Sequence, residues 1–274
     1  MSLYTIFGGK GFIGSEFVKQ LIELKHEVFI PEKNDSTIFS KNLGIVIYAA
    51  GYGDCKSDPY NVLEANTVLL SRLLNYAQFK KIIYLSSTRL YMNQDMSFEN
   101  NDISVFNDDN RRLFNLTKLT SEELCLKSNK DCLIIRPSNV YGLALNSSLF
   151  LPTIIKGAIE NGFIDMYVSK NYKKDYVSVY DLVSYTIKLI KLNLSHKVIN
   201  IASGINTSAL EIASILENET SCTVNWHPVK PNVENFPITD ISTIKSILNY
   251  TPSYVLDDLA SMIQNYKLHL GNRK

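Results

Sequence analysis

The chain has 274 residues, 45% of them hydrophobic, and sets 28 basic against 27 acidic side chains for a formal net charge of +1. That length and composition exclude a disordered chain and allow one large domain, or a core domain with a small appended one. The charge balance excludes a general attraction to nucleic acid or anionic lipid, so any anion must be held by a local site.

The opening Met-Ser-Leu-Tyr-Thr-Ile-Phe lacks the charged leader and apolar core of a signal peptide. No apolar run reaches the roughly 20 residues of a spanning helix, and a cytoplasmic protein without a membrane segment is the expectation. Cys55, Cys125, Cys132 and Cys222 lack the close pairwise spacing of a zinc site, so reduced thiols and no metal are expected.

Strand-like runs at Tyr4 to Phe7, Glu27 to Ile30, Ile45 to Ala49, Lys81 to Ser86 and Cys132 to Arg136 alternate with helical patterns such as Ser15 to Leu24 and Pro59 to Ala77. In the second helix Val62, Ala65, Leu69, Leu70, Leu73 and Leu74 fall at helical spacing. This alternation predicts parallel βαβ units, hence an α/β, Rossmann-like, doubly wound parallel sheet buried on both faces. Residues 1–143, with returning segments, are expected to form this core. From about 144 to 274 the pattern is irregular, with a strand near Val198 to Ile201 and helices over Ser208 to Leu216 and Leu256 to Lys267, and predicts a small C-terminal α+β lobe that binds substrate.

After the first strand, Gly8-Gly9-Lys10-Gly11-Phe12-Ile13-Gly14 opens a helix, the context in which a glycine motif binds a dinucleotide. Gly8 permits the turn, Gly11 lets the amides of the loop approach a pyrophosphate, and Gly14 allows close packing of helix on strand. Glu32 lies 18 residues past Gly14, where a carboxylate can accept from a ribose diol and would repel a 2′-phosphate, which favours NAD. Lys10 and Lys33 could instead neutralise that phosphate, so NADP stays open. Ala49, Ala50 and Gly51 are small enough for a cofactor to lie across the strand ends. Twelve residues separate Glu32 from Ile45, so the sheet is expected to be one strand short, or to reduce its third strand to a fragment around Thr37 to Ser40.

These residues resemble the extended short-chain dehydrogenase/reductase family of nucleotide-sugar epimerases, dehydratases and reductases. The likeness extends to Leu85-Ser86-Ser87-Thr88-Arg89-Leu90-Tyr91, to Phe114-x-x-x-Lys118-Leu119-x-x-Glu122, and to Arg136-Pro137-Ser138-Asn139-Val140-Tyr141-Gly142. It continues through Lys174-Asp175-Tyr176-Val177-Ser178-Val179-Tyr180-Asp181, Asn200-Ile201-Ala202-Ser203-Gly204 and the segment from Asp240 to Pro252. The resemblance implies Ser87 as the group that orients the reacting oxygen, Lys118 as the lysine that anchors cofactor ribose, Tyr91 in the substrate site, and Asn139 and Lys174 as contacts to a sugar-nucleotide diphosphate. It also implies a homodimer built on Pro59 to Ala77 and Arg112 to Leu126, where Leu113, Leu116, Leu119, Leu124 and Leu126 offer apolar surface or serve as ordinary core contacts.

Phe114 departs from the pattern. The family places a tyrosine there, whose phenol, with an unperturbed pKa of about 10, is stabilised as phenolate by a lysine one helical turn on. Phe114 has no hydroxyl to give or take a proton, and loss of a general acid or base costs about 10² to 10⁴ in rate. Replacement candidates are Tyr91, Tyr141, Asp54, Cys55, or a water held by Ser87 and Lys118. Arg111 and Arg112 either face an anionic ligand or start the same helix, where a carboxylate such as Asp108 or Asp109 would offset their unfavourable position. His26, His196, His227 and His269 are scattered and read as structural or surface residues.

The expectation is an NAD(P)-dependent enzyme that reduces, epimerises or dehydrates a nucleotide-linked sugar for surface polysaccharide. The alternative is a cofactor-binding scaffold that has lost its acid.

Overall fold

The computed structural model describes residues 1–145, 147, 149–229 and 234–271. In chain order the elements are β1 (Leu3–Phe7), α1 (Phe12–Glu23), β2 (Glu27–Phe29), β3 (Ile45–Tyr48), α2 (Pro59–Leu63), α3 (Leu69–Tyr76), β4 (Lys81–Leu85), α4 (Arg112–Lys127), β5 (Cys132–Pro137) and β6 (Asn139–Tyr141). They continue with α5 (Phe150–Glu160), β7 (Phe163–Met166), β8 (Lys173–Ser178), α6 (Val179–Ile190), β9 (Val198–Ile201), β10 (Asn206–Ser208), α7 (Ala209–Thr220), β11 (Thr223–Trp226), α8 (Ser242–Ile247) and α9 (Val255–Gly271). Two compact units emerge, one of Met1–Leu90, Glu99–Pro137 and Leu182–Ile201, the other of Tyr91–Phe98, Ser138–Asp181 and Ala202–Lys274.

The first unit is built on a six-stranded sheet in the order β2-β1-β3-β4-β5-β9, and every pair in it is parallel. Its strands are rich in β-branched residues, and Val46, Ile47, Ile82, Ile83, Ile134 and Ile135 are fully buried. Continuous burial is what helices on both faces impose on a parallel sheet. The chain leaves β1 towards β2 and then returns to place β3 on the other side of β1. That reversal opens a crevice at the carboxyl ends of the strands, where ligands of such sheets bind. The segment between β2 and β3 contributes no strand: Ser36–Phe39 is a 3-10 turn whose entry is capped by Asp35, which accepts from the Thr37 amide at 2.9 Å. Ile38 and Leu43 plug this link into the core.

Between α2 and α3 the helix widens into a π turn over Glu64–Val68. Its carbonyls are met from neighbouring elements, Ala65 O by the Tyr48 hydroxyl at 2.7 Å and Asn66 O by Ser121 Oγ at 2.8 Å. Such bulges recur at functional positions because they turn backbone groups outward. α4 is tied to β5 by a buried, two-pronged ion pair, with Arg136 Nε and Nη2 donating to Glu122 Oε1 and Oε2 at 2.9 and 2.6 Å.

The second unit carries a mixed three-stranded sheet, β10-β8-β6, and a parallel pair, β11-β7. α5, α7 and α9 bury Leu151, Ile155, Ile212, Leu216, Leu259, Ile263 and Tyr266 in one core. α7 begins with a capping box in which Ser208 and Glu211 satisfy each other's amides. The stretch that reads as irregular in sequence thus contains α5, β7, β8 and α6. Pro152 masks α5, yet it falls in the first turn, where no backbone N–H is required. No helix among the described residues is long and apolar enough to cross a membrane. Cys125, Cys132 and Cys222 are buried, Cys55 is half-buried, and all are free thiols.

Candidate functional site

The glycine loop joins β1 to α1 with no room for side chains. Gly8 has φ of +80°, and a Cβ there would lie 2.6 Å from the Ala49 carbonyl oxygen; a Cβ on Gly14 would lie 2.1 Å from Gly8 O. Loop and helix are therefore pressed onto each other and onto the end of β3. Gly11 closes the turn by donating to Gly8 O at 2.9 Å and N-caps α1 without any side-chain cap. The amides of Phe12, Ile13 and Gly14 are left for an anion at the positive end of the helix dipole. Glu32 and Lys33 lie just past β2 and are both exposed, and Lys10 Nζ closes on Glu32 Oε1 at 2.6 Å. The glycine loop and the tip of β2 thus meet through an exposed ion pair whose lysine neutralises the predicted ribose carboxylate.

At the ends of β3 and β4 lie Ala49, Ala50, Gly51 and Ser87, with Lys118 reaching up to them from α4. Lys118 is 5% exposed, and its ammonium donates to Leu85 O at 2.8 Å. The Tyr84 ring centroid lies 5.0 Å from Nζ and the Phe114 centroid 5.6 Å. A Cβ on Gly51 would come within 2.9 Å of Nζ, so the glycine makes space for the ammonium. Burial, with a smaller push from Arg111 and an opposing pull from Glu122, lowers the Lys118 pKa to about 8. The loop above it is clamped by Asn66, whose amide accepts from Tyr52 N at 2.9 Å and donates to Tyr52 O and Thr117 Oγ1 at 3.0 Å each. Ser87 is half-buried, and its Oγ accepts from the Arg89 amide at 3.1 Å.

Phe114 stands one turn before Lys118, half-buried, with the Arg111 guanidinium 4.5 Å from its ring centroid. Of the carboxylates that the sequence suggested, Asp109 meets Arg111 at the backbone amide. It accepts from Arg89 Nη2 at 2.7 Å, from the Arg111 amide at 2.8 Å and from Asn115 Nδ2 at 2.7 Å, while Arg112 Nη1 donates to Asn107 Oδ1 at 2.6 Å. The carboxylate thus organises the start of α4 through a backbone amide.

The candidate substitutes for the absent phenol fare differently. Tyr91 is 1% exposed. The Tyr141 hydroxyl donates to Asp258 Oδ2 at 2.5 Å, and burial together with that carboxylate pushes its pKa up. Asp54 is a turn residue whose Oδ1 accepts from the Ser57 and Lys56 amides at 2.9 and 3.2 Å, which lowers its pKa. The Tyr141 and Asp54 shifts both lead away from neutrality, whereas that of Lys118 leads towards it.

In the second unit Asn139 on β6 donates to Asp175 O at 2.8 Å, and Lys174 lies next along the same strand β8. The Lys174 ammonium sits 5.1 Å from the Tyr172 ring centroid and 5.3 Å from that of Phe236, and the Tyr172 hydroxyl donates to Glu234 Oε2 at 2.6 Å. Asp175 is buried and accepts from the Ser203, Gly204 and Ile205 amides at 2.9, 2.7 and 3.1 Å, which fixes the β8 backbone beneath Lys174.

Sequence reasoning gave no role to Asn66, Tyr84 or Arg89. Only Asn66 left a local signal, since it falls at i and i+4 with Val62 and Leu70, where all three are buried. A polar residue on the buried stripe of a helix needs partners.

The sequence profile of the NAD dependent epimerase/dehydratase family matches residues 4–202. A protein of Methanocaldococcus jannaschii that carries the provisional name UDP-glucose 4-epimerase is 24% identical over 264 residues, covering 79% of this chain and 82% of the relative. MoeE5, solved with UDP-glucose and NAD, superposes with a TM-score of 0.84 at 18% identity, over 98% of this chain and 99% of that one. The UDP-glucuronic acid 4-epimerase of Bacillus cereus, solved with UDP-glucuronic acid and NAD, gives a TM-score of 0.81 at 18% identity, over 97% and 99% of the two chains.

Proposed function

Because this chain belongs to the NAD dependent epimerase/dehydratase family, we propose that it binds NAD along the carboxyl edge of the six-stranded sheet and uses it to modify a nucleotide-linked sugar. The observation that carries this reading is the uncapped start of α1, packed by Gly8 and Gly14 so tightly that no side chain can fill the space. The amides of Phe12, Ile13 and Gly14, with Gly11, hold the pyrophosphate. Glu32, oriented by Lys10, accepts from the adenosine ribose, and Lys33 flanks it. Ala49, Ala50 and Gly51 floor the path towards Lys118, which donates to the nicotinamide ribose. When bound, NAD takes up a hydride from the sugar or returns one to it.

Ser87 orients the reacting sugar oxygen, and Tyr91 supports the sugar. Asn139 and Lys174 hold the diphosphate, where an ammonium supplies charge without the two-pronged fit of a guanidinium. UDP-glucose and UDP-glucuronic acid, the ligands of MoeE5 and of the Bacillus cereus epimerase, support a nucleoside diphosphate sugar as the substrate class. The reaction is a keto reduction, epimerisation or dehydration, and the short link between β2 and β3 tilts the choice to reduction, as in compact ketoreductases. A cytoplasmic homodimer serving surface polysaccharide assembly fits this reading. Tyr60, Leu63, Leu116 and Leu126 are exposed on α2 and α4 and supply apolar surface for the dimer.

The test is purification with a search for co-purified nicotinamide by absorbance, followed by cofactor redox assays on a panel of nucleoside diphosphate sugars and their 4-keto forms. Turnover with at least one sugar is expected. NAD binding without turnover on any of them would leave a binding scaffold, and no NAD binding would remove the reading altogether.

A further inference from the structure

We propose that Lys118 is the group that exchanges a proton with the substrate hydroxyl in this chain, in the place that Phe114 leaves empty of chemistry. This rests on the reading of the chain as an NAD-dependent nucleotide-sugar enzyme and adds the identity of the proton carrier.

An ammonium has three N–H donors. Among the described residues Lys118 Nζ meets one acceptor, Leu85 O, and is otherwise walled by the Tyr84 and Phe114 rings and the Gly51 backbone. A buried ammonium with so little compensation is costly to keep charged. Beside Leu85 at the end of β4 and Gly51 beyond β3, Nζ stands at the edge where such a sheet binds its ligands.

The groups around Nζ do not compete for the proton. Glu122, one turn on in α4, is held by both prongs of Arg136. Arg111, at the start of α4, is a permanent cation that repels the ammonium. Burial raises the phenol pKa of Tyr84 on β4 and of Tyr48 on β3, so both stay neutral. Asn66, from the π turn, is an uncharged amide engaged with Tyr52 and Thr117. With a pKa lowered to about 8, about a tenth of Lys118 is free amine at pH 7, enough for a general base.

The carbinol C–H bond of the sugar breaks and its hydride, with both electrons, passes to the nicotinamide acceptor. The carbinol O–H bond breaks and its proton passes, through one water beside the Phe114 ring, to the Nζ lone pair. A ketone and a lysine ammonium result, and reduction of a ketone runs the same transfers backwards. Ser87 orients the oxygen throughout.

The test combines a proton readout with a rate. In protein labelled at the lysine ε-carbon and loaded with NAD, the resonance missing from Lys118→Arg is followed by carbon NMR between about pH 6 and 10. In parallel, single-turnover nicotinamide reduction by the sugar panel is timed over the same range for wild type, Lys118→Arg and Lys118→Met, with NAD affinity measured by calorimetry. The Lys118 resonance is expected to titrate near pH 8, and the wild-type rate to rise through the same midpoint. Variants that bind NAD should be slower by about 10² to 10⁴ with a flat profile, because arginine keeps its proton and methionine has none.

A resonance that stays still while turnover proceeds overturns the role of Lys118 alone, as does a variant that binds NAD and keeps its rate within about tenfold. Titration without turnover on any sugar overturns the functional reading and this role with it. Where neither variant binds NAD, the wild-type titration decides.

Discussion

Lys118 in the first unit and Lys174 in the second both lie against aromatic rings, and the two settings differ in what surrounds the charge. Lys118 is enclosed, with Leu85 O as its acceptor and with Tyr84 and Phe114 beside it. Lys174 is half-buried between Tyr172 and Phe236, with a carboxylate one hydroxyl away at Glu234. The first arrangement withholds water and makes the charge conditional on pH. The second leaves the ammonium partly exposed beside two rings, which suits holding an anion but not moving a proton. Residue type alone therefore does not assign a role to a lysine. Desolvation does.

The largest effect is expected at the ion pair between Glu122 and Arg136. Glu122→Gln leaves Arg136 buried without its carboxylate, and we expect a loss of about 3 to 5 kcal/mol in urea unfolding. A loss below about 1 kcal/mol would mean that Arg136 is well satisfied without its carboxylate.

Next in size is the pH dependence of stability set by Lys118 itself. Its folded pKa is about 8 against an ordinary 10.5, so between these values the unfolded chain binds a proton that the folded chain has released. Stability conferred by this group therefore rises with pH across that window, and the cost of burying the ammonium is fully present below pH 8. Relative to Lys118→Met, the cofactor-free wild type should gain on the order of 3 kcal/mol from pH 8 to 10.5. Parallel stability curves for the two proteins would show Lys118 to be solvated.

Two smaller effects sharpen the picture of Lys174. Lys174→Arg should tighten binding of a nucleoside diphosphate by about tenfold through a two-pronged contact, read by calorimetry with UDP. Tyr172→Phe removes the hydroxyl that donates to Glu234. The expected stability change is about 1 kcal/mol or less, since the bond is only part-buried and water can replace it. A larger loss would make this corner as tightly organised as the start of α4.

Much of the first unit was legible in the residues. The glycine loop, the apolar runs of β1, β3, β4 and β5, and the missing strand after Glu32 follow from short-range rules: strand runs, turn chemistry and a count of residues too few for a helix and a strand. The second unit was less legible. α5 was hidden by Pro152, and β7 and β8 are short strands with alternating or charged residues. Around Lys118, the sequence named the lysine and the lost phenol but left open whether that lysine faced solvent.

The order of residues by itself determined a parallel α/β sheet, a phosphate-ready loop at its first turn, and the absence of a hydroxyl at Phe114, because each is written in contiguous residues. The tertiary structure alone decided that Lys118 is desolvated, that Glu122 belongs to Arg136, that Asp109 serves Arg89 and a backbone amide, and that Asn66 clamps the loop at Tyr52. Most of those facts join residues 14 or more positions apart, and burial is a property of the packed chain that no local pattern encodes.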